Sequence, residues 1–228
     1  MDISNESRFE LKATFTRALQ TLRGEFPLQA RIEDAPPAQR EAYARILGHW
    51  IREAAPPGRG IAPLAQLEAL SAMDAIVNDG QGIGCYPFSA RKTGINVHFS
   101  GKRVQAMCAI DALAIPRMVG QASRITARCA VCRCRLACAV AASGSIEQEN
   151  HNPDAARVVW GLDAGGGGQA CCHSLCVGIR FICRHCTAPA GALILSLPQA
   201  SAVGNAFFAF QVRLLAQFPA YGQPALST

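Results

Sequence analysis

No run of apolar residues in this sequence approaches the roughly 18 that a membrane-spanning helix needs, so no membrane partner is expected. The first residues, MDISNESRFELK, carry acidic and polar side chains where a secretory signal would carry an apolar core. The expectation is therefore a cytoplasmic protein. Charge is scarce, at 17%, while half of the residues are hydrophobic, a globular composition that excludes a disordered chain. Acidic residues are scarcest after residue 80: residues 1 to 80 hold nine Lys/Arg against eleven Asp/Glu, the remainder thirteen against five. Duplex binding is dominated by phosphate neutralisation, so the acidic balance of residues 1 to 80 argues against a nucleic-acid partner.

What the sequence does have is cysteine. Eleven cysteines in a chain expected to stay in a reducing compartment read as buried residues, metal ligands or reactive thiols before disulfides. The positive balance after residue 80 surrounds all eleven and favours thiolate over thiol.

The first 80 residues read as helical. Tyr43, Ile46, Leu47, Trp50 and Ile51 fall at i, i+3, i+4, i+7 and i+8, one apolar stripe on a helix bounded by Pro36-Pro37 and Pro56-Pro57-Gly58. Another helix runs from Pro63 with Leu64, Leu67, Leu70 and Met73, and an earlier one covers about residues 5 to 22. After residue 80 the pattern turns to strands. GINVHFS (94–100) and RVQAM (103–107) form a hairpin about Gly101-Lys102, and RITARCAVCRCRLACAV forms a second, turning near Val131 to Arg133. Between them MCAIDALAIPRMVG is a helix that Pro116 should limit to about two turns. Glycines 165 to 168 should make a mobile lid before Cys171-Cys172. A strand is expected from Cys171 to Cys183, with Cys171 and His173 on its apolar face and Cys172 pointing away. A last helix runs from Ser201 to Phe218. The predicted fold is α+β: an N-terminal helical, winged-helix-like domain over residues 1–80, then an antiparallel-sheet core with packed helices over 81–228.

Two segments carry a resemblance to a known family. Ala106-Met107-Cys108-Ala109-Ile110-Asp111-Ala112-Leu113 looks like the Cys-x-x-Asp helix of the organomercurial (alkylmercury) lyases, and Cys171-Cys172-His173 before an apolar strand looks like that family's second site. Tyr86-Pro87-Phe88-Ser89, the Cys129 hairpin and the C-terminal helix extend the likeness over roughly residues 82 to 217. It implies that Cys108 and Cys171 are catalytic thiols and mercury ligands and that Asp111 is the catalytic carboxylate; Cys172 beside them reads as a spare or substrate-binding thiol. It also implies an organomercurial substrate, cytosolic thiols that remove the mercuric ion, a mercuric reductase as a downstream receiver, and no organic cofactor. The sequence departs from the family where Gln105 and Met107 stand in place of the aromatic residues common before the first cysteine. It also has extra cysteines at 132, 134, 138, 176, 183 and 186, which marks a divergent member.

The chemistry suits these residue types. Breaking a carbon–mercury bond adds a proton to carbon while soft ligands take the metal, and thiolates are the soft ligands of a protein. Asp111, three residues after Cys108, can receive a thiol proton and return it to the leaving carbon. Each residue also has a plainer reading. Cys108 alone would be a buried structural thiol, and Asp111, with no basic residue at i±3 or i±4, would be a local cap. Cys171 could be an ordinary strand thiol, His173 a hydrogen-bonded core histidine, and Arg124, Arg128, Arg133 and Arg135 a solvated strand face or an electropositive surface. Cys129-x-x-Cys132 and Cys183-x-x-Cys186 have the spacing of a structural zinc site, in which Cys134 or His185 could replace one ligand. Two other functions fit the sequence: cleavage of another carbon–heteroatom bond or sulfur transfer on the same scaffold, and a non-catalytic metal-binding regulator.

Overall fold

The computed structural model describes residues 5–78, 81–147, 156–162 and 170–222. The glycines at 165–168, expected to form a lid, lie outside the described residues. Four helices open the chain: α1 (Asn5–Glu25), α2 (Leu28–Glu33), α3 (Pro37–Glu53) and α4 (Leu64–Ala72). α3 begins at Pro37, where a missing N–H leaves no helical bond unmade. It ends at Ala54, left-handed at φ 54°, whose N–H bonds the Trp50 carbonyl. The stripe read from the sequence is its buried face: Tyr43, Ile46, Leu47, Trp50 and Ile51 are all in the core.

Eight strands then make an antiparallel sheet: β1 (Ile76–Asn78), β2 (Ile83–Cys85), β3 (Phe88–Ser89), β4 (Asn96–Phe99), β5 (Lys102–Ala106), β6 (Ser123–Arg128), β7 (Arg135–Val140) and β8 (Ile146–Glu147). Their spatial order is β1-β2-β3-β5-β4-β6-β7-β8. A second sheet of three strands, β9 (Ala156–Trp160), β10 (Ile179–Cys183) and β11 (Leu193–Ser196), has β9 in the middle. α5 (Ala109–Val119) leaves the end of β5, and α6 (Leu197–Phe207), α7 (Ala209–Gln217) and the short α8 (Pro219–Gly222) close the chain. This is the expected α+β class.

Several elements differ from expectation. The first hairpin turns on Ser100-Gly101, one residue early, because Phe99 pairs with Lys102. Both turn residues have positive φ (46° and 71°), as a two-residue hairpin that matches strand twist requires. α5 continues through Pro116 to Val119 rather than stopping after two turns. Every residue from Ala109 to Pro116 is buried, and that packing offsets the one helical bond the proline removes. The C-terminal helix is two helices broken at Phe208, so that Phe207 and Phe208 both reach the core, edge to face with centroids 4.9 Å apart. It also starts earlier, at Leu197, through a capping box between Ser196 and Gln199.

One apolar core runs from Ala18 in α1 to Leu215 in α7 and takes in both the helices and the large sheet. Trp50 joins them: its ring stacks on Phe88 at 5.4 Å and its Nε1–H donates to the Ile83 carbonyl at 2.9 Å. α6 crosses α5 so closely at Gly204 that a Cβ there would lie 2.7 Å from the Ile110 carbonyl oxygen. That contact seats the first turn of α5 against the core.

Candidate functional site

The first turn of α5 begins at Cys108. Its backbone is extended (φ −144°, ψ −177°) and its Sγ accepts the Asp111 N–H at 3.4 Å, so the thiol is the helix N-cap rather than a residue within the helix. A helix N-terminus favours negative charge, and both Cys108 and Asp111 sit in that field. Burial opposes it. Asp111 is 5% exposed and its carboxyl is pushed up to about 7 by burial, against hydrogen bonds from Cys108 and Cys176 that lower it. The Cys108 thiol is pushed up to about 11, again first by burial. The Cys108 thiol therefore favours its protonated form while the Asp111 carboxyl is poised near neutrality, and a soft metal would have to displace the thiol proton.

The third group of this cluster is Cys176, set aside above as an extra cysteine. The Cys108 and Cys176 sulfurs and an Asp111 carboxylate oxygen all lie within 4.8 Å of one another, with Cys176 Sγ 3.9 Å from Asp111 Oδ2. Cys176 Sγ is in turn 3.6 Å from Cys171 Sγ. Cys171 thus meets the Cys108–Asp111 end of α5 through Cys176. The Cys176 thiol is raised well above its ordinary range, first by its hydrogen bond with Cys108, then by that with Cys171, then by burial.

The expected strand from Cys171 is not formed. Residues Cys171–His173 and Cys176–Gly178 are two 3-10 turns, and the strand begins only at Ile179. A strand would alternate its side chains between two faces, whereas the turns bury Cys171, Cys172 and Cys176 together. Cys172 consequently does not point away, and burial raises its thiol to about 11. The backbone donors that a sheet ladder would have satisfied go to side chains instead. The Cys171 N–H donates to Asp74 Oδ2 at 2.8 Å and the Cys172 N–H to the Tyr86 hydroxyl at 2.9 Å. Tyr86 donates onward to Asp74 Oδ1 at 3.0 Å, and Arg31 stands 3.7 Å from the same carboxylate. His173 is exposed, with its Nδ1 3.2 Å from Arg91, and is not a core histidine.

Sequence reasoning missed Cys176 and Asp74 as parts of this site. Cys176 lies five residues after Cys171, a spacing that strand periodicity puts on the opposite face and that two tight turns bring round. Asp74 precedes Cys171 by 97 residues and had no local signal. Gln105, in an expected aromatic position, accepts the Thr93 and Gly94 N–H groups at 3.2 Å each and so fixes the loop before β4. Met107 is buried with its methyl against Gly84.

The four cysteines of the two Cys-x-x-Cys pairs, Cys129, Cys132, Cys183 and Cys186, meet in a separate cluster whose sulfurs are all within 4.8 Å of one another. Cys134 and His185 are not in that set. The arginines 124, 128, 133 and 135 line, together with Arg180, a groove of about 720 Å³ that holds none of the clustered sulfurs.

The family model described as alkylmercury lyase (MerB) matches residues 88–208, more than half of the chain. The chain belongs to the alkylmercury lyase family. The matched span runs from β3 to the break between α6 and α7 and contains Cys108, Asp111, Cys171 and Cys176. A solved structure described as the mercury-bound form of MerB2 is similar at a TM-score of 0.59 and 19% identity, over 81% of this chain and 98% of that one. At that identity the likeness concerns the fold. A comparison with curated proteins found no match.

Proposed function

We propose that this chain cleaves carbon–mercury bonds of organomercurials by protonolysis, with Cys108 and Cys171 as metal-binding thiolates and Asp111 as the proton carrier. The observation that supports it best is the buried meeting of the Cys108 and Cys176 sulfurs with the Asp111 carboxylate, and of Cys171 with Cys176, in a member of the alkylmercury lyase family.

The substrate mercury first exchanges its labile ligand for the Cys108 sulfur, and the thiol proton leaves with that ligand. A second thiol then binds the metal and gives its proton to the Asp111 carboxylate. Two sulfur ligands raise electron density on the carbon–mercury bond, and Asp111 delivers the proton to carbon. The bond breaks to hydrocarbon and a bis-thiolate mercuric ion, and the carboxylate is regenerated. Two external thiols exchange onto the mercury and return the protons to the cysteines. A carboxyl near 7 suits both directions of that transfer. Cys176, touching Cys108, Cys171 and Asp111, is a third sulfur on the path between the two thiolates, and Cys172 is the nearby thiol on the substrate side.

The test is hydrocarbon release from a phenylmercury compound in excess thiol. Cys108→Ala, Cys171→Ala and Asp111→Ala are expected to abolish turnover, while Cys172→Ala keeps most of it. Equal turnover in Cys108→Ala and the unaltered protein would reject the assignment. Absence of benzene from the unaltered protein would favour a different carbon–heteroatom bond as the target.

A further inference from the structure

The second cysteine cluster lies away from the residues of the proposed reaction. Cys129 follows β6 and Cys132 lies in the turn before β7, whereas Cys183 ends β10 and Cys186 lies in the turn after it. Two hairpin-like arms from different sheets therefore bring two thiols each to one point. The sulfurs of Cys129 and Cys186 are 3.7 Å apart, those of Cys132 and Cys183 3.7 Å, and those of Cys183 and Cys186 3.4 Å. Four thiolates bound tetrahedrally to zinc at about 2.3 Å are separated along each edge by roughly 3.8 Å. The observed separations approach that edge and are much too long for sulfur–sulfur bonds.

The backbone around the cluster is built in the same sense. The Cys183 N–H donates to Cys129 Sγ at 3.3 Å, and the Cys129 N–H donates to the Cys134 carbonyl at 2.9 Å. Each arm curls tightly, with Arg133 N–H on the Cys129 carbonyl at 3.0 Å and Cys186 N–H on the Cys183 carbonyl at 3.2 Å. Arg133 adopts a left-handed φ of 64°, which turns the chain back after Cys132. The arms are tied by the Ala130 N–H to the Phe181 carbonyl at 2.9 Å. The apolar support is small: Cys129, Val159, Ile182 and Cys183 form a cluster of their own outside the main core. Such a small cluster gains little from burial alone, and cross-linking is how small units commonly make up the difference.

We infer that Cys129, Cys132, Cys183 and Cys186 bind one structural zinc ion that clamps the β6–β7 hairpin to the end of β10. Four sulfur ligands complete a tetrahedron and leave no position open for substrate, so this is a structural site rather than a second reaction centre. It uses none of the residues assigned to protonolysis, and its test does not depend on that activity. The Cys134 thiol lies against those of Cys132 and Cys183 from the solvent side, so a substitution at 132 could be compensated locally. Cys186 and Cys129 are the more informative positions.

The experiment is elemental analysis of the full chain purified in reducing buffer, together with the optical spectrum after cobalt exchange. About one zinc per chain is expected, and cobalt should give the strong visible absorption of a tetrahedral thiolate centre. Cys186→Ser and Cys129→Ser should each lower the zinc content at least fivefold, while Cys138→Ser and Cys108→Ser keep it. If the serine variants do not fold, the cobalt spectrum of the unaltered protein decides alone. A reduced, folded protein that takes up neither zinc nor cobalt would overturn the inference, as would equal zinc in Cys186→Ser and unaltered protein, or four sulfurs paired as two disulfides in the reducing buffer.

Discussion

Asp111 sets the clearest expectation at the scale of single residues. Burial disfavours its charge and pushes its carboxyl up from the ordinary 3.8 to about 7. The stability attached to its protonated form is therefore complete below about pH 4 and is lost as pH rises through about 7. Asp111→Asn should be more stable than the unaltered protein at pH 8 and close to it at pH 4, with on the order of 1.4 kcal/mol for each pH unit separating the two titrations. Urea denaturation at the two pH values measures this, and equal differences at both would contradict it. Cys176→Ala tests the third sulfur. Losing one hydrogen-bonding thiol, about 1 kcal/mol, corresponds to less than about tenfold in turnover if Cys108 and Cys171 alone hold the metal. A loss as complete as in Cys108→Ala would make Cys176 the second ligand in place of Cys171. Tyr86→Phe removes the acceptor for the buried Cys172 N–H and should cost about 1–3 kcal/mol of stability, read from thermal unfolding.

Among the elements, α5 depends on α6. A side chain at 204 would collide with the Ile110 carbonyl, backbone that cannot swing aside, so Gly204→Val is expected to destabilise the fold by about 3 kcal/mol. It should lower turnover as well, since Ile110 lies between Cys108 and Asp111. A variant with both properties unchanged would show that the helices part without consequence. The elements also show which sequence signals carried. The helical stripe at Tyr43 to Ile51 and the hairpins depend on periodicity and turn chemistry, which are local, whereas the two Cys-x-x-Cys segments, more than 50 residues apart, were paired by their metal-ligand spacing. The turns at Cys171 to Gly178 were misread as strand because alternation counts apolar residues without asking where their N–H groups go. Here the partners were Asp74 and Tyr86, remote in sequence, and Cys176 was lost with them. Pro116 misled in the opposite way, since a local rule yields where a helix is buried on every side.

Over the whole molecule, the expectation of a boundary near residue 80 becomes a question of cooperativity. With Trp50 stacked on Phe88 and one core on both sides of that point, fluorescence of Trp50 in a Trp160→Phe variant and far-ultraviolet dichroism should report a single unfolding transition. An earlier loss confined to helical signal would instead mark residues 1–80 as a separable unit. Among the described residues no helix is long and apolar enough to cross a membrane. The two sulfur clusters are joined by β10, whose five residues span about 17 Å of extended chain. One end of that rod emerges from the turn that carries Cys176, and the other terminates in Cys183. A firm mooring at the far end is therefore expected to hold the near sulfur in register, and a fall in turnover on Cys186→Ser, with Cys108 and Cys176 untouched, would measure that tether.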